Sequence, residues 1–312
     1  MRNHILKRVV FIWIILLVLV ALIGDVSVAQ TDGGRTAADF LLIGTGARAA
    51  GMGDAYTAVA AGAEAAYWNP AGMAGMEEHE VVLGHFSLLQ DVSLEHGAFA
   101  YAANEKTTVA VAVTYLNYGT IDGFDVSGQA TQDLSAYDFA AGLSLGYELT
   151  DELALGLTGK YINQNLDDIT GSGVAADIGV RYIYRTVTLA ATVNNIGTGV
   201  SYDETTEKLP LTGRFGVAVP LFENALITAL ELEKRRYMAP EIRHGVEVNL
   251  HQQYFLRTGY NLSLDSQNES RATTLSLGAG WRSGDFAIDY AYTLEDKYSS
   301  EDIHRFSMSF NF

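Results

Sequence analysis

Apolar and polar residues alternate along the chain from His79 to the C-terminus. A period of two residues predicts β-strands that have one apolar face and one polar face. The alternation is clearest late in the chain, where one face of a strand carries only large apolar side chains. The residues of that face are Phe286, Ile288, Tyr290, Tyr292 and Leu294. The chain after residue 78 is therefore predicted to be all-β.

The alternation predicts fourteen strands. They lie near residues 79–88, 92–103, 106–118, 134–148, 152–166, 173–184, 186–195, 209–219, 224–235, 240–250, 253–264, 270–282, 285–294 and 302–312. Strands of this length match a tilted membrane crossing, and bacterial single-chain barrels have an even number of strands. A soluble antiparallel sheet shows the same alternation, with its apolar face in a core instead of in lipid.

The connections favour the membrane barrel. The joins after strands 2, 4, 6, 8, 10 and 12 are tight, whereas those after strands 3, 5, 7, 11 and 13 are longer and polar. Outer-membrane barrels have short turns at the periplasmic end and long loops at the extracellular end. A soluble sandwich is not expected to alternate short and long connections in this way. Residues 79–312 are therefore predicted to form a 14-stranded antiparallel transmembrane β-barrel.

Charged residues inside the predicted strands fall on the polar face. Charge that faced lipid would be penalised, so these side chains are expected to point into the lumen, where opposite charges can pair. They are Lys160, Asp177, Arg181, Glu231, Glu233, Arg243, Glu247, Arg257, Asp289 and Arg305. We expect this network to pack a plug, and a polar pathway through the lumen is the alternative.

Residues 1–29 have the pattern of a cleavable signal peptide for Sec-type export. Basic residues within the first eight positions precede an apolar run over residues 9–23, and Ser27-Val28-Ala29 supplies a small-x-small cleavage site. The alternative is a membrane anchor, but the run is shorter than the roughly 20 residues that span a bilayer. No later apolar run is long enough for a transmembrane helix. The chain contains no Cys, which excludes a lipid-modified N-terminus and disulfides.

The chain is acidic and has no recognisable catalytic or metal-binding motif. Its net charge of −17 becomes −19 once residues 1–29, which carry two net positive charges, are removed. This argues against nucleic acid as a partner, because neutralising phosphate requires basic residues. The His residues show no ligand spacing and no Ser lies in a G-x-S-x-G turn. We therefore predict no enzymatic activity, no metal and no cofactor.

Residues 30–78 are predicted to form a separate N-terminal segment, called the plug below. Sparse β-branched residues and closely spaced Gly and Pro predict short helical or irregular pieces. The turn Trp68-Asn69-Pro70-Ala71-Gly72 should fix the chain direction and prevent a helix from continuing. The glycines expected to allow tight backbone packing inside a barrel are Gly44, Gly46, Gly51, Gly53 and Gly72.

The last strand ends on an aromatic residue. Its apolar face is formed by Phe306, Met308, Phe310 and Phe312. Outer-membrane barrels commonly end this way, so we interpret this strand as a signal for the barrel assembly machinery.

The plug sequence supplies a family resemblance. The stretch from Phe40 to Ala60, with its glycine-rich run, and the stretch from Ala66 to Met73, with its Asn-Pro-Ala-Gly turn, closely resemble the PorV/PorQ family and, more distantly, FadL-type fatty acid transporters. The resemblance implies a FadL-like fourteen-stranded barrel with an N-terminal plug and a role in type IX secretion or surface attachment of exported cargo. One departure is that Ala61-Gly62 stands where family members usually have an acidic pair, with only Glu64 nearby.

Three hypotheses for function follow. The first is a barrel of the outer membrane that serves protein export and contacts lipid, type IX components and cargo. The second is a FadL-like passive channel, in which hydrophobic small molecules would occupy an apolar pocket between plug and wall. Candidate pocket residues are Phe40, Leu41, Leu42, Ile43, Met52, Tyr56 and Met73. The third is a purely structural barrel. We also predict that Arg48 pairs with a lumen carboxylate such as Asp177, Glu231, Glu247 or Asp289.

Overall fold

A computed structural model describes residues 36–88, 91–125, 127–203, 205–264, 273–294 and 303–312. The proposed signal peptide lies outside these residues. Fourteen long strands are present: β1 Glu80–Ser87, β2 Ser93–Asn104, β3 Thr107–Ile121, β4 Leu134–Thr150, β5 Leu153–Leu166, β6 Ile169–Tyr184, β7 Val187–Ser201, β8 Thr212–Leu221, β9 Leu226–Arg235, β10 Glu241–Leu250, β11 Tyr254–Ser263, β12 Thr273–Ser283, β13 Phe286–Leu294 and β14 Ile303–Asn311. A two-residue strand at Thr206–Glu207 pairs with the end of β7.

Every long strand pairs antiparallel with its neighbours in the sequence, and β14 pairs with β1. At this seam Glu80 lies opposite Asn311 and Ser87 lies opposite His304. Among the described strands closure leaves no unpaired edge, so their backbone donors and acceptors are satisfied within the sheet. The predicted closed fourteen-stranded antiparallel barrel is confirmed.

The two faces of the strands differ as the alternation predicts. Large apolar side chains such as Leu143, Leu157 and Val174 are exposed on the outer face. On the inner face, charged residues such as Glu231, Glu247 and Arg257 are buried. The barrel therefore has an apolar exterior and a charged interior, which is the inverse of a soluble sheet and the arrangement expected in a membrane.

The connections define two ends of the barrel. The turn end carries the joins after the even-numbered strands, such as Asn104 to Thr107 and Ser283 to Phe286. The loop end carries the connections after the odd-numbered strands, the longest of them at 122–133. The predicted alternation of short and long connections is wrong at one join. The join between β5 and β6 was predicted to be long, but it contains only Asp167 and Asp168. Asp167 adopts a left-handed φ of 51°, and the Asn165 side-chain nitrogen donates to the Asp167 carbonyl, which closes a tight turn.

The seventh strand is longer than predicted. The sequence predicts it near residues 186–195, and Asn194, Asn195 and the following glycines are turn-forming types. In the structure β7 continues to Ser201, and the pairing register with β6 shifts near Asn195, whose φ is +63°. A bulge therefore absorbs the turn-forming residues without ending the strand.

Two short helices, α1 Ala47–Gly51 and α2 Ala65–Trp68, and two 3₁₀ helices, Asp39–Leu42 and Pro70–Met73, precede the barrel. Among the described helices, none has the length and apolar character needed to cross a membrane. These elements lie inside the barrel, and their side chains form its core together with the inner wall.

Candidate functional site

The described part of the plug runs through the barrel from the loop end to the turn end. The Ala37 amide donates to the carbonyl of Lys208, in the connection after β7, at 2.9 Å. At the other end the chain passes Gly75 and enters β1. The plug is therefore in contact with both ends of the lumen and with most of the wall between them.

The turn after α1 docks on a row of wall glycines. Gly245 of β10 lies directly opposite Gly259 of β11. A Cβ atom at Gly259 would lie 2.2 Å from the Gly53 nitrogen, and one at Gly245 would lie 2.4 Å from the Met52 carbonyl oxygen. A side chain at either wall position would displace the plug, so these glycines form a seat for Gly51-Met52-Gly53.

The Asn69-Pro70 turn docks on a second glycine row on the opposite side of the lumen. Gly156 of β5 lies opposite Gly146 of β4 and opposite Gly179 of β6. A Cβ atom at Gly156 would lie 2.1 Å from the Ala71 nitrogen. The plug is thus held between two glycine seats, and its backbone replaces the side chains that strands normally present.

Asn69 fastens this turn. Its side-chain oxygen accepts from the Ala71 amide at 3.1 Å, and its side-chain nitrogen donates to the carbonyls of Thr57 at 3.2 Å and Val180 at 3.4 Å. Pro70 starts the 3₁₀ helix that the Asn69 side chain caps. Asn69 therefore joins the turn to the plug and to the wall.

Trp68 is the largest buried side chain of the plug, with 1% of its surface exposed. Its indole nitrogen donates to the Thr45 carbonyl at 2.9 Å, and a Cβ atom at Gly44 would lie 2.9 Å from its ring. The Arg214 guanidinium lies 5.3 Å from the ring centroid. This packing explains why the chain requires glycine at position 44.

The predicted ion pair of Arg48 with a lumen carboxylate is confirmed. Arg48 donates through Nε and Nη2 to both oxygens of Glu247, each at 2.8 Å. Arg257 donates to the same carboxylate at 2.6 Å and to Asp289 at 2.5 Å. Two guanidinium groups therefore share the Glu247 carboxylate in the lumen.

Glu231 holds the plug by its backbone. Its Oε2 accepts from the amides of Tyr56 at 3.1 Å and Thr57 at 2.8 Å, and the side chain is 1% exposed. Beside it, Glu233 receives hydrogen bonds from Arg214 at 2.5 Å and Arg243 at 2.7 Å. The expected inward charges therefore form a network that binds the plug, as the sequence analysis predicted.

Glu64 is the acidic residue nearest to the missing acidic pair. It accepts a hydrogen bond from the Tyr56 hydroxyl at 2.9 Å. Burial in the lumen raises the pKa of the Glu64 carboxyl to about 7. This residue lies on the plug itself, and it can change charge near neutral pH.

The candidate apolar pocket residues do not come together. Phe40 and Leu41 pack in a cluster with Phe86 and Leu94. Met52, Tyr56 and Met73 belong to a different cluster, which includes Trp68. Leu42 is half-buried and Ile43 packs beside the first cluster. The structure therefore divides these residues between two packed regions.

A small cavity lies beside the plug. It has a volume of about 30 Å³ and is lined in part by Leu41, Tyr67, His96 and Lys160. This is room for about one water molecule, which is far less than an aromatic hydrocarbon requires. No group of three or more potential metal ligands occurs among the described residues.

The C-terminal strand closes the barrel. The amide of His79 donates to the Phe312 carbonyl and the amide of Phe312 donates to the His79 carbonyl, each at 3.0 Å. Its four apolar residues, Phe306, Met308, Phe310 and Phe312, are exposed on the outer face. Their recognition by an assembly machinery stays a prediction.

The comparison with protein families gives a match to this chain. The model described as "Type IX secretion system protein PorV" matches residues 27–241, which is more than half of the chain. Comparison with curated proteins gives no match.

Several solved structures have a similar fold. The Pseudomonas putida toluene transporter TodX has a TM-score of 0.65 at 12% identity, covering 86% of this chain and 98% of that one. The Ralstonia pickettii toluene transporter TbuX has a TM-score of 0.61 at 13% identity, covering 87% of this chain and 98% of that one. A Pseudomonas aeruginosa FadL homologue has a TM-score of 0.58 at 10% identity, covering 86% and 98%. At these identities the similarity establishes the barrel fold alone.

Proposed function

The chain belongs to the PorV family of type IX secretion system proteins, and from this we propose that it is an outer-membrane secretion component whose barrel is closed by its own plug. The family and the barrel fold indicate the outer membrane, and both are those of a secretion or transport barrel. In this role the protein assists the export or surface attachment of other proteins and performs no catalysis.

The contacts that hold the plug inside the barrel are the main support for this proposal. Two glycine seats, the Arg48–Glu247 ion pair and the two backbone hydrogen bonds to Glu231 act on opposite sides of the lumen. A barrel in which the described plug residues are held in this way offers a fixed surface to other proteins. The same observation supports residues 30–78 as a plug unit, distinct from the barrel of residues 79–312.

The route to the membrane follows from the sequence. Residues 1–29 serve as a Sec-type signal peptide that is removed, and the strand ending at Phe312 is read by the barrel assembly machinery. Once inserted, the outer face contacts lipid, and the partners are type IX components and their cargo proteins.

A channel for hydrophobic molecules is less well supported. The printed names of TodX and TbuX call those proteins toluene transporters. In this chain the candidate pocket residues pack in two clusters, and the apolar cavity lined in part by Leu41 and Tyr67 has only about 30 Å³. A hydrophobic substrate would therefore require the plug to rearrange.

Deletion of the gene tests the proposal. Proteins with type IX C-terminal signals should disappear from the cell surface and should return when the wild-type chain is supplied. Normal surface display in the deletion strain would contradict the proposal. Binding of a long-chain fatty acid or toluene to the purified barrel would instead support the channel.

A further inference from the structure

Basic residues gather at the loop-end rim of an otherwise acidic barrel. Lys234, Arg235 and Arg236 form the one run of three consecutive basic residues in a chain whose net charge is −17. They lie at the end of β9 and the start of its connection to β10, and Lys208 lies in the connection between β7 and β8. These four residues are called the basic rim below.

Two contacts bring the connections of the basic rim together. The Lys208 ammonium donates to the Tyr237 hydroxyl at 3.2 Å, and its nitrogen lies 5.9 Å from the centre of that ring. The Arg236 Nη1 donates to the Leu209 carbonyl at 2.8 Å. Because Leu209 follows Lys208 and Tyr237 follows Arg236, these contacts place the Lys208 and Arg236 side chains in one patch.

The alternation along β9 turns two of these cations towards the membrane. Glu233 is buried on the lumen face, and Arg235 pairs with it on that face. Lys234 lies between them in the sequence and therefore faces outward. The Arg236 amide donates to the Leu211 carbonyl at 2.8 Å, which continues the ladder beyond the strand. Arg236 therefore takes the next outward position.

The apolar belt of the wall ends directly below Lys234. The preceding outward residue, Leu232, lies opposite Phe215 of β8 and Ile242 of β10. The outward residue before it, Leu230, is 52% exposed. Two residues advance a strand by about 7 Å, so the change from apolar side chains to cations occurs within that distance. Lipid headgroups are expected at such a boundary of an outer-membrane barrel.

Two cations of the basic rim have no carboxylate partner among the described residues. Arg235 is bound by two glutamates of the lumen network, and the Lys234 ammonium donates to the Met238 carbonyl. By contrast, the contacts of Lys208 and Arg236 within the described part of the chain are to a hydroxyl, a ring and a carbonyl, and Lys208 is exposed. Their charges are therefore available to an anion from outside.

We propose that Lys208, Lys234 and Arg236 bind the phosphate groups of a glycolipid in the outer leaflet, whose acyl chains lie along the wall at Leu230 and Leu232. Phosphate oxygens accept hydrogen bonds from ammonium and guanidinium groups, and a lipid complements both the cations and the apolar wall directly below them. An acidic segment of a protein would complement the cations alone. The proposal needs the outer-membrane location with the loop end outward, and it does not depend on which proteins the barrel helps to export.

Lipid binding to the purified full chain tests this surface. Native mass spectrometry measures the binding of diphosphoryl lipid A to the barrel in detergent, and the same lipid without its phosphates is the comparison. We expect a stoichiometric complex with diphosphoryl lipid A. The affinity for the dephosphorylated lipid should be lower by about tenfold or more, because the cations then lose their anionic partner.

Matched variants make the test specific. Lys234→Gln and Arg236→Gln should each weaken binding about fivefold, and together about twentyfold or more, because each cation near an anionic headgroup contributes to the affinity. Arg236→Lys keeps the charge and should retain most of the affinity. Lys106→Gln combined with Arg185→Gln removes the same two charges from exposed turns at the opposite end and should bind like wild type. Heat-modifiable gel mobility shows that each barrel has folded, and Lys208→Gln serves if Arg236→Gln has not.

Four results would overturn the proposal. The first is equal binding of the phosphorylated and dephosphorylated lipids. The second is displacement of the lipid by inorganic phosphate at a similar concentration, which would identify free phosphate as the ligand. The third is unchanged binding in the rim variants, or an equal loss of binding in the turn-end control. The fourth is binding of a polyglutamate peptide without binding of lipid A, which would identify an acidic protein segment as the occupant.

Discussion

Arg48 of the plug and Glu247 of β10 are joined by two parallel hydrogen bonds of 2.8 Å across the wall of the lumen. The pair links residues 199 positions apart in the sequence, so it forms only when the plug is packed in the closed barrel. Substitutions that break this pair therefore test how strongly the plug is held in the barrel.

Breaking this pair should loosen the plug. Glu247→Gln leaves two guanidinium groups without their shared carboxylate, and we expect a loss of about 3 kcal/mol or more in the free energy of unfolding. Arg48→Met should cost less, about 1–2 kcal/mol, because Glu247 keeps Arg257 and Arg48 is partly exposed. Chemical unfolding in lipid vesicles gives both values.

A double-mutant cycle isolates the interaction. The combined variant should be less destabilised than the two single losses added together, because the residues share one contact. Arg185→Met at an exposed turn is the control and should have little effect. Strict additivity of the two changes would mean that the pair does not hold the plug.

A side chain at a glycine seat should expel the plug while the barrel remains folded. In Gly156→Ala the new Cβ would lie 2.1 Å from the Ala71 nitrogen. Such overpacking typically costs about 1–3 kcal/mol, so the plug should become sensitive to protease. Gly159→Ala lies on the same strand with its Cβ in open space and should leave the plug protected. Equal protease resistance of the two variants would argue against the seat.

The architecture could be predicted because alternation is a local property. Each strand shows its two faces in its own sequence, and the inward charges follow because lipid excludes them. The pairing of Arg48 was predictable for the same reason, since it is a lone cation between Arg35 and the first strand in a lumen of known charges. Choosing Glu247 from four candidates required the structure.

The glycine seats were missed because they depend on register. Gly146, Gly156 and Gly179 belong to three different strands and align only through the pairing of β4, β5 and β6. A glycine within a strand does signal close approach of another backbone, so the individual positions carried a signal. The alignment of the three glycines into one seat cannot be read from any single strand.

The proposed hydrophobic pocket illustrates a different limit. Composition indicated apolar plug residues, but it contained no information about how the plug folds between the glycine seats. Phe40 and Met52 are separated into different clusters because the turn after α1 packs against β10 and β11, while Phe40 stays near the loop end.

Removing the Asn69 side chain should weaken the second seat. Asn69→Ala loses one accepted and two donated hydrogen bonds, and a buried group left without its partner costs about 1–3 kcal/mol. Exchange of the Ala71 amide hydrogen, measured by mass spectrometry, should become faster. Asn165→Ala at the exposed β5–β6 turn is the control. Unchanged exchange at Ala71 would contradict the capping role of Asn69.

Glu64 should make the attachment of the plug weaken as the pH rises through neutrality. Burial raises the pKa of its carboxyl from 4.5 to about 7, so the packed plug retains a proton that a released plug loses. This contribution to stability is complete below pH 4.5 and is lost as the pH rises through about 7. The charged or titratable groups around it are Tyr56, Arg48, Asp289 and Glu80. Because Glu64 is partly exposed, we expect an effect on the order of 1–2 kcal/mol.

Glu64→Gln separates this effect from the other titrating groups. Glutamine stays neutral at every pH. As the pH rises from about 5 to about 8, the free energy of unfolding of the wild type should therefore fall relative to that of the variant, because the packed and released plug bind different numbers of protons. The free energy of unfolding of both proteins is measured across that range, with Glu223→Gln at an exposed turn as the control. Parallel pH curves for wild type and Glu64→Gln would show that Glu64 does not titrate when the plug is released. A difference confined to Glu64→Gln would place the proton on the plug itself, at the position next to the missing acidic pair.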